Sequence, residues 1–375
     1  MTGRAYLAGL ALAAAVLALA GALTIPPLAA RGDFAEQWAA ARFTLDGGDP
    51  YDPAVWRDAA ARLAGRASDA RAFVYPPYVT LALVPFALVP LPVAATAFVA
   101  VSAALAAVAV GRLLQASGIA HPVSAFAFGF TLLASGPAIL AIAQGQWDLL
   151  LVAAVASGAS ARLAGRAPFA ALALVLKPQL APLSILGFVR ETAGPARRRL
   201  LVALGAVLAA IALTAVAVFP LWQAWLRGAG SFAASPPVRT TTLATTLEAL
   251  AGPTGALVAA LLAVTAIGVC LAAPRGDATL ALWLATAVLV APYIQAYDQL
   301  LLLPPLVLAS AAAARRPGPL HLVVALAGCG LLTVGGLAAS AVTMSRGADL
   351  FGALVPLAIW LLVAAVVWRV RAAAV

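Results

Sequence analysis

The sequence predicts an all-α integral membrane protein with about twelve membrane-crossing segments, some of them short or re-entrant. Three observations carry that expectation. Of 375 residues, 64% are hydrophobic and only 10% charged, against about 45–50% and about 25% in a soluble domain. Mean hydropathy is +1.04. The apolar residues fall into long runs, and the basic residues sit mostly singly at the run ends, as the positive-inside rule expects. These figures exclude a soluble enzyme, a disordered tail and a secreted disulfide scaffold. Residues 1–375 read as a single polytopic membrane domain.

The net charge of +10 does not signal nucleic acid, because no basic patch is interleaved with aromatics. Cys270 and Cys329 lie inside apolar runs and read as small buried hydrophobes. His121 and His321 each begin an apolar run, and no Cys/His cluster has metal-ligand spacing. No metal or other cofactor is expected.

In chain order the apolar runs are 5–29, 92–111, 122–142, 149–161, 167–176, 180–189, 200–219, 255–273, 279–291, 299–314, 321–341 and 351–368. The first follows Arg4 and resembles a signal peptide, but it exceeds the roughly 7–15 apolar residues of one. It is taken as an uncleaved span. The runs 167–176 and 180–189 are about 15 Å long as helices, half a hydrocarbon core. They flank Lys177-Pro178-Gln179 and are expected to form a short helical pair dipping into the protein, because irregular backbone at depth must be buried or face water. Charge agrees with this division. With the N-terminus inside, the inner segments hold 13 positives and 2 acids, a net of +11, and the outer segments have a net of −1. Both termini are then cytoplasmic.

Residues 31–78 form the first outer loop and 220–254 the second. Residues 31–71 hold 13 of the 36 charged residues and 7 of the 13 acids, the strongest functional signal in the chain. Phe34, Trp38, Ala41 and Leu45 share one helical face; Val55, Trp56, Ala59 and Leu63 share another, with Asp58 and Arg62 spaced as a surface ion pair. Both helices are expected to lie at the membrane interface with tryptophans at headgroup level. Asp33-x-x-Glu36 has the form of a capping box with Asp33 as N-cap. A carboxylate at the water–membrane boundary also suits a general base, and the two roles are compatible.

These strings then resemble a known family. An Asp just outside the first span, GGDPYD (47–52), YPPY (75–78), GQWD (145–148), LKPQL (176–180) and APYIQAYDQ (291–299) look like glycosyltransferase family 87. This is a set of membrane-embedded transferases of the GT-C fold that includes polyprenol-phosphate-mannose-dependent α-mannosyltransferases. The resemblance implies Asp33 as catalytic base, Lys177 and Gln179 near the sugar phosphate, and Tyr293, Gln295, Tyr297 and Asp298 lining the cavity. It implies transfer of a hexose, mannose in the family, from a polyprenyl-phosphate-linked donor to a lipid or glycan acceptor at the extracytoplasmic face of the cell membrane. One branch of the family carries histidines in the late loop, where this chain has Tyr297-Asp298.

Alternatives stay open residue by residue. Lys177, the one lysine beside 22 arginines, is a phosphate partner or a charge holding a helix end in water. Arg239 is a second phosphate candidate or a solvated loop charge. Gln146 and Trp147 bind sugar or anchor the interface, Asp298 is a second acid or pairs with a basic neighbour, and YPPY is a structural turn and anchor. The competing function is a polytopic transporter or flippase, for which Lys177 between two half-length segments is the best sign.

Overall fold

Seven helices are long and apolar enough to cross a membrane in the computed structural model, which describes residues 29–65, 73–119, 121–234, 242–338, 341 and 352–372. The protein is a multi-pass membrane protein, and no strand occurs among the described residues. The expected first span, 5–29, lies almost wholly outside them.

The segment expected to be the first outer loop holds the two expected helices, α1 (Asp33–Leu45) and α2 (Pro53–Ala64). Gly47, at φ +82°, makes the turn between them. The tryptophans depart from expectation. Trp56 is fully buried among Phe43 and Phe73, and the Trp38 indole donates to the carbonyls of Phe86 and Val89. They are core residues, because α1 packs into the bundle and brings neighbouring aromatics within reach. Val55 and Leu45 face outward instead. Asp58 and Arg62 are exposed and do not pair; the i,i+4 pair that forms is Arg42–Asp46, at 3.1 Å. YPPY opens the short helix α3 (Pro77–Ala82), with Pro77 in its first turn, and α4 (Val84–Ala87) follows.

The membrane body begins with α5 (Leu91–Ala116). The run 122–142 is one span bent at Ser135, between α6 (Pro122–Ala134) and α7 (Gly136–Gln144). Next come α8 (Asp148–Leu163), the 3-10 helix η1 (Phe169–Leu176), α9 (Ala181–Glu191) and α10 (Gly194–Ala217). The second outer loop is also helical, in α11 (Phe219–Ala234) and α12 (Leu243–Ala251). The chain ends with α13 (Pro253–Ala272), α14 (Asp277–Leu289), η2 (Ala296–Leu302), α15 (Leu303–Ala314), α16 (Leu320–Gly330) and α17 (Leu354–Ala372). Of the twelve expected segments, seven are full-length and four (α8, η1, α9 and α14) are short. Among the short ones α14 is enclosed by protein, every residue from Ala278 to Leu289 being buried, whereas η1 buries only Ala171, Leu172 and Leu174. By contrast α10 buries only Leu200.

Small residues set the close packing. Ala103, Ala106 and Ala107 of α5 and Ala153, Ala156 and Ala159 of α8 are buried where the two helices lie against each other. Without a hydrophobic drive between helices in lipid, such close approach is a main source of packing energy.

The charges expected on the inner face gather at one end. Arg162 and Arg315 both bond Asp277; Arg190 bonds Glu191 at 2.8 Å and the carbonyls of Cys270, Leu271 and Ala273 at 2.8–2.9 Å. Burial pushes the Asp277 carboxyl up, but its two arginine hydrogen bonds outweigh that and hold it below the usual carboxylate range. A depressed folded-state pKa stabilises above the unfolded value of about 4 and is lost as pH falls through the folded one. Asp277→Asn should therefore cost about 1–3 kcal/mol of stability at pH 7, the worth of charged hydrogen bonds, and lower the thermal midpoint accordingly. The deficit against wild type should shrink below about pH 4. A constant deficit from pH 7 to pH 3 in detergent thermal scans would assign the loss to shape instead.

Candidate active site

Asp148 and Arg162 stand at opposite ends of α8, 14 residues or about 21 Å apart, so the remaining polar residues form a second cluster away from the arginines. Asp33 is its accessible carboxylate. The expected capping box is not formed: Gly32 is the N-cap and Asp33 the first helical residue. Gly32 lies against the end of α7 so tightly that a Cβ there would stand 2.7 Å from the Gln144 Cα. The carboxylate keeps the favourable field of the helix N-terminus and is half-buried.

Its partners come from distant elements. Gln146 Nε2 donates to Asp33 Oδ2, and the Tyr297 hydroxyl donates to the same oxygen at 3.4 Å. Gln146 Nε2 also lies 3.2 Å from the Tyr297 hydroxyl, and its Oε1 accepts from Tyr75 at 3.4 Å. Gly145 makes this possible. It ends α7 at φ +63°, turning the chain so that Gln146 faces α1, and a Cβ on it would stand 2.6 Å from the Phe34 Cβ. Gly145→Ala should lower turnover at least ~10-fold and cost about 1–3 kcal/mol for the left-handed backbone. Detergent-phase melting and a transfer assay check this; a variant with wild-type turnover would show that the Gln146–Asp33 contact has no catalytic weight.

Lys177 closes the other half of the site. It sits where η1 breaks, and its ammonium donates to Asp148 at 2.8 Å and to Asp298 at 2.5 Å. It stands 4.8 Å over the Tyr297 ring. Lys177, Asp148 and Asp298 are 2%, 0% and 1% exposed. Of the two alternatives open for Lys177, a helix end held in water is not what forms, because two carboxylates supply what water would. Asp298 pairs with a basic neighbour, one of the two alternatives open for it. Its second oxygen accepts the Gln295 N–H at 2.6 Å, and the Gln295 side chain bonds back to the Asp298 backbone.

The remaining residues divide. Gln295 donates to the Tyr293 hydroxyl at 3.0 Å, and both are half-buried at the rim. Gln179 is half-buried two residues beyond Lys177. Trp147 is neither sugar platform nor anchor: it is buried, edge-on to Phe98. Arg239 lies outside the described residues. Asp148 and Tyr75 belong to the cluster and were not singled out by sequence. Both lie inside the strings GQWD and YPPY, where the neighbouring amide and the turn-forming prolines are the stronger local signals.

Burial keeps the Tyr75 and Tyr293 hydroxyls above their usual pKa, so both are neutral donors at physiological pH. Among the described residues no three His, Cys, Asp or Glu are grouped so as to hold a metal ion. The cluster thus offers one accessible carboxylate, tyrosine hydroxyls and amides, a set suited to hydroxyl-rich ligands and proton abstraction.

The profile of glycosyltransferase family 87 matches residues 73–304. That segment takes in Tyr75, Gln146, Asp148, Lys177, Tyr293, Tyr297 and Asp298, while Asp33 precedes it. No curated protein and no solved structure matches the chain. With more than half its length matched, the chain belongs to glycosyltransferase family 87 and is a membrane glycosyltransferase.

Proposed function

We propose that the protein transfers a hexose, mannose by family resemblance, from a polyprenyl-phosphate-linked donor to an acceptor hydroxyl, with inversion and with Asp33 as general base. The observation that carries this is the accessible Asp33 carboxylate held by Gln146 and Tyr297. Asp33 takes the proton of the acceptor hydroxyl as its oxygen attacks the anomeric carbon, and the bond from that carbon to the phosphate oxygen breaks. The lipid phosphate leaves with the electron pair. A double displacement needs a second carboxylate as nucleophile. Asp148 and Asp298 are both committed to buried Lys177, which favours single displacement and inversion. Gln179, Tyr293 and Gln295, all half-buried, are the candidate contacts to sugar hydroxyls and the phosphate, and Arg239 is the candidate cation from the second loop. The extracytoplasmic face is supported by charge: the site lies at the end of α8 opposite the arginines, as the positive-inside rule requires.

The test is purified protein given polyprenyl-phosphate-mannose and candidate lipid or glycan acceptors. Appearance of an α-mannoside is expected. Transport of the donor across vesicles without any transfer product would favour the flippase reading.

A further inference from the structure

We propose that Asp148 is a positioning residue for Asp33, acting through a buried clamp that sets the spacing of two turns. The first turn, 145–148, carries Gln146 and Asp148; the second, 295–298, carries Tyr297 and Asp298. Each turn therefore presents one donor to Asp33 and one carboxylate to Lys177. The cation between them comes from a third element, the break after η1. Lys177 also lies over the ring of Tyr297, so the clamp touches the donor directly.

Stability does not account for this arrangement. Buried ion triads are often neutral or unfavourable compared with apolar residues of similar volume, and most other buried positions among the described residues carry apolar side chains. Asp148 is the member whose role is simplest to isolate. Its Oδ2 accepts from Lys177, and its Oδ1 is buried with no hydrogen-bond partner. Lys177 is thus the one hydrogen-bond donor to its carboxylate among the described residues, and the Asp298 carboxyl stands beside it on the same ammonium. Deleting it frees the 145–148 turn from the 295–298 turn, and Gln146 and Tyr297 lose their common register on Asp33.

The sign of the effect on Asp33 separates geometry from charge. The titratable and charged groups around it are Tyr75, Tyr293 and Tyr297, Arg31 and Glu36 beside it in sequence, and the Lys177, Asp148 and Asp298 cluster on the other side of the Tyr297 ring. Taking an acid away at Asp148 removes a source of negative charge and so cannot by itself raise the Asp33 pKa. Loosening the Gln146 and Tyr297 hydrogen bonds raises it. The proposal rests on Asp33 being the base, so the primary measurement is one that needs no substrate.

The experiment is labelling of Asp33 by dicyclohexylcarbodiimide, which reacts with protonated carboxyls, followed by mass spectrometry across pH. Asp33→Asn serves as the blank. In Asp148→Ala the labelling midpoint should move up by about one pH unit, a ~10-fold faster labelling at fixed pH. Asp148→Asn removes the same charge but keeps an acceptor for Lys177, so its midpoint should not rise. In the transfer assay Asp148→Ala should lose at least ~10-fold in kcat with donor KM within ~3-fold, and Asp148→Asn should recover most of that loss. Asp148→Ser, too short to reach Lys177, replaces the alanine variant if that one fails to fold. A midpoint that falls in both variants, a midpoint unmoved in Asp148→Ala, or a raised donor KM with kcat intact would each overturn the proposal. A failed transfer assay with the expected labelling shift would instead locate the error in the proposed donor.

Discussion

Asp33→Asn should abolish transfer, lowering kcat by about 10²–10⁴-fold, the usual worth of a positioned general base. The substitution is nearly isosteric. The Asn amide oxygen still accepts from Gln146 and Tyr297, so the cluster keeps its shape. What is lost is the ability to take a proton. Folding should survive, because Asp33 is the first residue of α1 and not its cap. Only the interaction of a charge with the helix terminus disappears, about 0.3–1 kcal/mol. The checks are the initial rate of transfer and the melting temperature of the purified variant. A well-folded Asp33→Asn protein within ~3-fold of wild-type turnover would remove Asp33 from the mechanism.

The second large effect should fall on stability. Lys177→Met keeps the length of the side chain and removes its charge, leaving Asp148 and Asp298 buried without a cation. Breaking one partner out of a buried pair costs about 3–5 kcal/mol, so the variant should melt far below both wild type and Asp33→Asn. This separates two roles for the same lysine. A residue that only gripped the donor phosphate would leave the melting temperature unchanged and raise donor KM. A residue that holds Asp148 and Asp298 loses stability first. Unfolding in detergent, followed by tryptophan fluorescence, decides between them; an unchanged midpoint would return Lys177 to the phosphate.

Much of this architecture was legible in the chain. The apolar runs predicted the helices because a bilayer imposes length and satisfied backbone hydrogen bonds on every crossing. The half-length pair around Lys177 was visible for the same reason, as were the helices of the first outer loop. The identity of the charged ends also carried through: Arg162, Arg190, Asp277, Arg315 and Glu191, assigned to one face by charge alone, do meet at one end. Periodicity was less informative about what a face touches. The apolar stripe of α1 is equally consistent with lipid and with protein, and only packing shows that Trp38 and Trp56 are inside.

Family resemblance located the strings that matter but not the division of labour within them. In GQWD the sequence drew attention to Gln146 and Trp147; the structure uses Gln146 and Asp148 and buries Trp147 in the core. In LKPQL a lone lysine suggested a phosphate ligand, and its two carboxylate partners lie 29 and 121 positions away. No local pattern reveals such a pairing.

Composition and spacing along the chain suffice to specify the bilayer as solvent, the helices, the arginine-rich end and the family resemblance. Tertiary structure alone decided which carboxylate is accessible and which are neutralised. Asp33, Asp148 and Asp298 are chemically identical in sequence. Their difference arises from contacts between distant segments: one ends half-buried against an amide and a phenol, the others enclosed on a single ammonium. Whether an acid is available as a base or consumed in a clamp depends on burial and partners, and these exist only after the helices have packed.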